Sequence, residues 1–253
     1  MMQPSSMRDK SVIVTGAGGG LGRATAEALA RLDANLLLVD IDADALAETK
    51  SLLASSQLST FTLVQDLSSQ SDCCAVIDYA LKQFGGIHAL CNIAAVLFPA
   101  NVSDFTSQQW ESTLAVNLSA PFYLIQRALP ALEESQGSVV NVTSCAAHLG
   151  QPYIGAYSAT KAGLTQLTKS LAMEYMNRKV RFNVVAPGGM ATSITHAMRN
   201  IKSPDPQLLG RMAPLRGMVE IEEVAHTVAY LATPAASSFH GAVINIDQGI
   251  TLG

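Results

Sequence analysis

Short apolar runs alternate with longer amphipathic stretches along the whole chain, and this alternation constrains the fold most strongly. Runs such as Val12–Val14, Leu36–Val39 and Val139–Val142 are almost continuously apolar, which is typical of strands buried on both faces of a parallel sheet. Successive parallel strands need crossover connections, and right-handed helical crossovers cover both faces of the sheet. The sequence therefore predicts a doubly wound α/β fold.

The predicted elements form one continuous series without an internal repeat or a low-complexity linker. Residues 1–253 are therefore predicted to form a single domain around a parallel seven-stranded sheet, with helices on both faces. The predicted strands are Ser11–Thr15, Asn35–Asp40, Thr60–Gln65, Ile87–Cys91, Ser138–Val142, Val180–Ala186 and Ala242–Asp247. The predicted helices are Leu21–Leu32, Ala43–Ala54, Ser71–Phe84, Ser107–Val116, Ala120–Glu134, Ala156–Arg178 and Ile221–Leu231.

Composition and charge exclude several classes of function. A net charge of −4 with no cluster of Lys and Arg argues against nucleic acid as the main partner. No apolar run approaches the ~18 residues of a membrane span, and Met1–Lys10 lacks the apolar region of a secretory signal. The four cysteines lack the spacing of a zinc site, so we expect no metal and a cytoplasmic protein with buried thiols.

A glycine-rich turn joins the first strand to the first helix. Residues 15–22 read Thr-Gly-Ala-Gly-Gly-Gly-Leu-Gly, so glycine stands at positions 16, 20 and 22. Glycine permits a tight turn and a close approach of the backbone to a pyrophosphate, which the helix N-terminus then attracts. A tight strand–helix loop without a ligand would look similar, but the position within a strand–helix–strand unit favours dinucleotide binding.

Asp40 ends the second predicted strand, 18 residues after Gly22. A carboxylate at this point can accept hydrogen bonds from ribose hydroxyls and would repel a 2′-phosphate, which favours NAD over NADP. The absence of a basic residue at positions 17–19 supports the same choice. Alternatively, Asp40 could cap the next helix, as could Asp42, and the two roles can coexist.

Tyr157 and Lys161 lie four residues apart on a predicted helix and therefore on one face. An ammonium about 4 Å from the phenol would lower the tyrosine pKa by about three units at an effective dielectric of about 20. Such a pair is more commonly a half-buried ring beside a solvated charge. Ser144 makes the pair significant, because it lies 13 residues upstream at the end of a predicted strand, where α/β sheets bind ligands.

The chain resembles the short-chain dehydrogenases/reductases over nearly its full length. Residues 15–22 match their glycine motif, including Thr15, Gly16, Gly20, Leu21 and Gly22. The remaining matches are Asp40 as the ribose-binding acid, Asp66 and Leu67 as the adenine-contacting pair, Asn92 and Ala94 after the fourth strand, the tetrad Asn117, Ser144, Tyr157 and Lys161, and Pro187, Gly188 and Thr192 beside the nicotinamide amide. The resemblance implies a Rossmann-type fold and an NAD-dependent enzyme acting on an alcohol or ketone.

The resemblance also assigns roles to the tetrad. Tyr157 would be the general base in oxidation and the acid in reduction, and Ser144 would hold the substrate oxygen. Lys161 would bind the nicotinamide ribose and lower the Tyr157 pKa, while Asn117 would hold a water that links Lys161 to solvent. The competing interpretations are a buried strand-end hydroxyl for Ser144 and a helix cap for Asn117.

Two positions depart from the family pattern after the fourth strand. The usual Asn-Asn-Ala-Gly is replaced by Asn92-Ile93-Ala94-Ala95, so Ile93 lacks a side chain that bonds locally and Ala95 adds a methyl group. These departures concern cofactor geometry and remove no reacting group.

The irregular segment 188–217 is expected to cover the substrate. Four methionines in or beside it indicate a flexible apolar lid, with further apolar walls predicted from Leu97, Phe98, Leu149 and Tyr153. His148 is either a polar contact or a plain loop residue. We therefore expect a secondary alcohol of moderate size and apolar character, cyclic or aromatic. The methionines are Met190, Met198, Met212 and Met218.

Family resemblance further implies a homotetramer, or a homodimer, built by pairing the helices Ala120–Glu134 and Ala156–Arg178. Two other functions stay open. One is an NADPH-dependent ketoacyl reductase of the same family, against which Asp40 argues. The other is a non-catalytic NAD(H)-sensing protein on this fold, against which the complete tetrad argues.

Overall fold

The computed structural model describes residues 6–53 and 58–252, and it contains one seven-stranded parallel sheet. The strand order is β3-β2-β1-β4-β5-β6-β7, which confirms the predicted doubly wound fold. The connection from β3 to β4 crosses from one half of the sheet to the other, so the strand order reverses between the neighbouring strands β1 and β4. The strands are β1 Ser11–Thr15, β2 Asn35–Asp40, β3 Thr60–Val64, β4 Ala89–Asn92, β5 Ser138–Val142, β6 Arg181–Pro187 and β7 Val243–Ile246.

Nine α-helices occur in the described part of the chain. Seven of them correspond to predicted helices within a few residues at each end, and the predicted last residue of the second helix, Ala54, lies outside the described residues. The helices are α1 Gly20–Ala30, α2 Ala43–Leu52, α3 Gln70–Phe84, α4 Ser107–Leu114, α5 Ala120–Ser135, α6 Gly155–Glu174, α7 Ser193–His196, α8 Pro206–Gly210 and α9 Ile221–Ala232.

Alternate residues of the strands form two cores, one on each face of the sheet. Val12 and Val14 of β1 pack with Leu29 of α1 and Val228 of α9 on one face. Ile13, between them, belongs to the opposite core with residues of α3 and α5 such as Ile77. This two-sided burial explains why the strand sequences are almost continuously apolar.

The structure differs from the prediction in two places. Residues 115–119 form a π-helical turn, so α4 and α5 are one continuous helix rather than two separate stretches. The irregular segment after β6 contains the short helices α7 and α8, as well as a 3₁₀ turn at Ala197–Asn200. None of the helices in the described ranges combines the length and the apolar character needed to cross a membrane.

Candidate active site

The glycine turn packs against the end of β4. A side chain on Gly16, whose φ is +69°, would place its Cβ 2.9 Å from the Ala94 Cα. A Cβ on Gly22 would lie 2.0 Å from the Gly16 carbonyl oxygen. These two glycines are therefore required by the close packing of helix on strand, independently of any ligand.

The N-terminus of α1 presents its backbone N–H groups without competition from the protein. Its N-cap residue is Gly19, the described residues provide no side-chain cap for it, and the first turn contains no acid. Gly19 and Gly20 are exposed, and a Cβ on Gly19 would meet nothing within 4 Å. Free N–H groups at the positive end of a helix fit the pyrophosphate of a dinucleotide.

Asp40 and Asp42 have separate roles. Asp42 is the N-cap of α2, because its carboxylate accepts hydrogen bonds from the Asp44 and Ala45 N–H groups, both at 3.0 Å. The Asp40 carboxylate instead accepts hydrogen bonds from the N–H groups of Gly18, at 2.9 Å, and Asp42, at 3.1 Å. The N-cap interpretation of Asp40 is therefore wrong, and its carboxylate is oriented beside the glycine turn.

Two adjoining cavities lie over the carboxyl ends of the strands. One of about 410 Å³ extends from the glycine turn to Ser144, Tyr157 and Lys161. The other, of about 480 Å³, is lined by Asp66 and Leu67. Both include Gly16, Asp40, Ala94 and Ala95 in their walls, so they adjoin and form one groove along the carboxyl ends of the strands.

Thr15 holds the segment after β4 from behind the groove. Its buried hydroxyl accepts hydrogen bonds from the backbone N–H groups of Ile93, at 3.0 Å, and Ala94, at 3.2 Å. Ile93 is itself almost completely buried in the core of the α1 face. Thr15 thus anchors the backbone of this segment at the bottom of the groove, although Ile93 offers no polar side chain.

Tyr157 is placed on α6 beside Ser144, which follows β5. Burial raises the pKa of Tyr157 to about 12, and a hydrogen bond with the Ser144 side chain acts in the opposite direction. The Ser144 hydroxyl also accepts a hydrogen bond of 3.1 Å from the Ala146 N–H. Tyr157 is consequently protonated at neutral pH and can donate a proton to an oxygen atom held at Ser144.

Lys161 is buried one turn further along α6, with its ammonium 5.5 Å from the centre of the Tyr157 ring. Burial lowers the Lys161 pKa to about 8, so the amine is mainly protonated at pH 7. The predicted lowering of the Tyr157 pKa by Lys161 is wrong for this arrangement, because desolvation of the phenol dominates. The ammonium donates to the Val142 carbonyl at 2.9 Å, which leaves two of its three donors for a ligand.

Asn117 lies within the π-helical turn and is completely buried. Its amide oxygen accepts from the Val96 N–H at 2.8 Å, and its amide nitrogen donates to the Val96 carbonyl at 2.9 Å. The helix-cap interpretation is therefore wrong. The Asn117 side chain fastens the segment after β4 to the helix that runs beside the groove, and π turns are frequent at functional sites.

Comparison with known proteins identifies the family. The model of a family described as enoyl-(acyl carrier protein) reductase matches residues 16–251. A D-threitol dehydrogenase of Mycolicibacterium smegmatis is 32% identical over 96% of this chain and 93% of its own length. A levodione reductase of Leifsonia aquatica is 30% identical over 95% and 94% of the two chains. The chain belongs to the short-chain dehydrogenases/reductases.

A solved structure supports the same assignment. The short-chain dehydrogenase of Mycobacterium paratuberculosis bound to NAD superposes with a TM-score of 0.91 at 25% identity. The match covers 98% of this chain and 100% of the other. The single-sheet Rossmann-type fold is therefore that of the family.

Most of the predicted site residues of this family member line the groove. Thr15, Asn92 and Asn117 do not, because each is buried behind its wall. Of the expected apolar walls, Leu97 lines the cavity, but Phe98, Leu149 and Tyr153 do not. The predicted residues in the groove are Gly16, Gly20, Leu21, Gly22, Asp40, Asp66, Leu67, Ala94, Ser144, Tyr157, Lys161, Pro187, Gly188 and Thr192.

Several groove residues escaped prediction from the sequence. Gln151 and Ile154 line the cavity from the segment between Ser144 and α6, whereas the exposed His148 does not. Their position between two matched motifs was the available signal, but an irregular segment gives no periodicity from which side-chain direction follows. Among the lid methionines, Met190, Met198 and Met212 line the cavity and Met218 does not.

Proposed function

We propose that the chain is an NAD-dependent oxidoreductase that interconverts a secondary alcohol and its ketone. The observation that carries this proposal is the convergence of Ser144, Tyr157 and Lys161 in one cavity with the free N-terminus of α1. Relatives named D-threitol dehydrogenase and levodione reductase support this class of reaction.

The residues of the groove fit NAD along its length. The first turn of α1 would bind the pyrophosphate, and Asp40 would accept hydrogen bonds from the adenosine ribose. Asp66 and Leu67 would border the adenine, while the two spare donors of Lys161 would bind the nicotinamide ribose. The structural neighbour bound to NAD supports the choice of cofactor, and Asp40 disfavours a 2′-phosphate through its charge.

Each reacting group has a defined task in alcohol oxidation. NAD, when bound, accepts the hydride that leaves the carbinol carbon. Ser144 holds the substrate oxygen, and the ionised fraction of Tyr157 removes the hydroxyl proton as the carbonyl forms. Because the Tyr157 pKa is raised, this fraction is small at neutral pH and grows as the pH rises. In ketone reduction the protonated Tyr157 returns this proton to the oxygen. The Asn117 side chain, which is bonded to Val96 and Thr160, would support the site by holding the segment after β4 in place.

The substrate is proposed to be moderately sized, with a cyclic or aromatic apolar frame. Leu97, Ile154, Met198 and Met212 surround the cavity beyond the reacting groups. Methionine side chains adapt to irregular shapes, so the lid can close over such a frame. Better turnover of small polar polyols than of cyclic alcohols would contradict this part of the proposal.

The test is NADH formation across a panel of secondary alcohols, with NADP as a parallel cofactor. We expect turnover with NAD and a loss of at least about a hundredfold in Tyr157→Phe, because proton transfer contributes about that much to rate. Tyr123→Phe, which alters a tyrosine outside the groove, is the matched control. Turnover retained in Tyr157→Phe would refute the mechanism, and NADH binding without any turnover would favour a sensor.

We further propose a cytoplasmic homotetramer. Phe122 of α5 and Met173 of α6 are exposed, with 38% and 72% of their surfaces accessible, and Trp110 of the adjoining α4 is 45% exposed. Apolar side chains on the helices expected to pair support an interface there. Analytical ultracentrifugation tests the state, and a monomer at micromolar concentration would contradict it.

A further inference from the structure

Apart from the groups already assigned to the cofactor, the reaction or the cap of α2, the polar side chains in the cavity wall are Thr143, Thr195 and Gln151. The Thr143 hydroxyl is fully buried and therefore less accessible to a ligand than the other two. The Thr195 hydroxyl is already hydrogen-bonded within the protein. It lies 2.6 Å from the Met190 carbonyl and 2.8 Å from that of Thr192, and it accepts from the Thr192 N–H at 3.1 Å. Thr195 therefore stabilises the base of the lid and has little capacity left for a substrate.

The Gln151 side chain, in contrast, has little hydrogen bonding within the protein. Its amide nitrogen contacts the Cys145 sulfur at 3.9 Å, which is its one hydrogen bond within the described residues. Sulfur is a weak acceptor, and the amide oxygen of Gln151 accepts no hydrogen bond from that part of the chain. A half-buried amide in an apolar wall thus keeps an acceptor and a donor available to a ligand.

Cys145 fixes how far Gln151 lies from the reacting centre. Its sulfur is 3.9 Å from the Ser144 hydroxyl oxygen and 3.9 Å from the Gln151 amide nitrogen. The two groups are therefore no more than twice that distance apart, within the span of one small ring compound. Cys145 is buried and burial raises its pKa, so it serves here as a neutral support.

We propose that Gln151 is a specificity-determining residue that binds a second oxygen of the substrate. This inference rests on the proposed function, because the first oxygen is the one that Ser144 holds. An amide both donates and accepts, so Gln151 can bind a hydroxyl or a carbonyl at the second position. The preferred substrates are then diols, hydroxyketones or diketones on an apolar frame rather than simple apolar alcohols.

The probes that test this role are cyclohexanol and trans-cyclohexane-1,4-diol, which share a ring and differ in the second hydroxyl. We expect the wild type to have roughly fivefold higher kcat/KM for the diol, as a hydrogen bond of about 1 kcal/mol gives. Gln151→Leu should remove this preference, chiefly through KM, while keeping turnover of cyclohexanol. Met198→Leu, which changes the wall without changing its polarity, should shift both probes in the same direction.

A binding measurement separates failure of this inference from failure of the proposed function. Calorimetric titration of each probe into the complex with NADH gives the diol preference without any turnover. An equal preference in the wild type and Gln151→Leu, or a wild type with no preference, would overturn the role of Gln151. Absence of NADH formation from both probes together with a Gln151-dependent binding preference would instead refute only the catalytic function.

Discussion

Lys161 and Arg181 are the two cations that the described part of the chain buries, and they lie at opposite ends of the sheet. Neither forms an ion pair with a carboxylate within those residues. Burying a charge is expensive unless hydrogen bonds compensate for the lost water. The two cations differ in how far the protein supplies that compensation.

Arg181 forms three hydrogen bonds with backbone carbonyls, compared with one for Lys161. Its guanidinium donates to the carbonyls of Leu231, Thr233 and Ala236 at distances of 2.9–3.1 Å. Two of these carbonyls lie at or just beyond the C-terminus of α9, where a positive charge also complements the helix dipole. At the amino ends of the strands, the buried Arg181 thus satisfies backbone carbonyls at the C-terminus of α9.

Lys161, at the carboxyl ends of the strands, has one carbonyl partner among the described residues, which leaves two of its donors unused there. The Thr143 hydroxyl and the Asn92 amide oxygen are likewise buried without a hydrogen-bond partner in residues 6–53 and 58–252. This difference indicates that the amino ends of the sheet strands are organised for stability. The carboxyl end keeps binding capacity for a ligand at a cost in stability.

The largest expected effect concerns Arg181. Arg181→Met removes three charge-assisted hydrogen bonds, although each carbonyl keeps another protein donor, so we expect the free energy of unfolding to fall by about 2–4 kcal/mol. Urea denaturation measures this loss. Arg178→Met, at a largely exposed arginine paired with Glu133, should change it by less than about 1 kcal/mol. A comparable loss of stability in both variants would contradict the view that the buried Arg181 stabilises the fold more than an exposed arginine does.

Lys161→Met is expected to have the opposite sign. A pKa lowered from 10.5 to about 8 means that the folded state at pH 7 carries a desolvated charge at a cost of about 3 kcal/mol. The variant should therefore be more stable by about 2–3 kcal/mol, after the loss of one hydrogen bond, and nearly inactive.

The pH dependence identifies the cause of that gain. The penalty is fully present below pH 8, where the amine is charged in both states. It fades between pH 8 and 10.5, because only the folded state has then lost the proton. The advantage of Lys161→Met in urea should accordingly shrink between pH 7 and pH 9.5. A destabilised variant, or a constant advantage, would show that Lys161 is not strained by burial.

A smaller effect is expected at Thr143. Thr143→Val replaces an unpartnered buried hydroxyl with a methyl group of similar size, so thermal stability should rise by about 1 kcal/mol. Thr168→Val is the matched control. It removes a buried hydroxyl that donates to Leu164 at 2.7 Å and accepts from Asn141 at 2.8 Å, and should cost about 1–3 kcal/mol. Equal losses in the two variants would show that Thr143 is satisfied.

The smallest effect is expected where the lid is fastened. Tyr153 has φ +67°, its hydroxyl accepts from the Asp205 N–H at 2.7 Å, and its carbonyl accepts from the Ala100 N–H at 2.9 Å. Tyr153→Phe removes one bond between lid and core, so we expect KM to rise roughly threefold at nearly constant kcat. Tyr230→Phe, near the amino end, should leave KM unchanged. An unaltered KM in Tyr153→Phe would exclude a role of this bond in substrate binding.

The sequence determined much of the fold because its signals are local. β1, β2 and β5 begin and end at the predicted residues, since strands buried on both faces are apolar throughout and are bounded by glycine or polar residues. The glycine turn was equally readable, because the positions of Gly16 and Gly22 reflect backbone contacts that exclude any side chain.

Only the tertiary structure decided the properties that depend on distant partners. The π turn at Asn117 accompanies its bonds to Val96, 21 positions away in sequence, and helical periodicity carries no trace of them. The raised pKa of Tyr157 comes from desolvation by surrounding elements, which outweighs the neighbouring charge that spacing alone suggested. The sequence thus supplied the reacting groups, and packing decided their protonation and their spare hydrogen-bonding capacity.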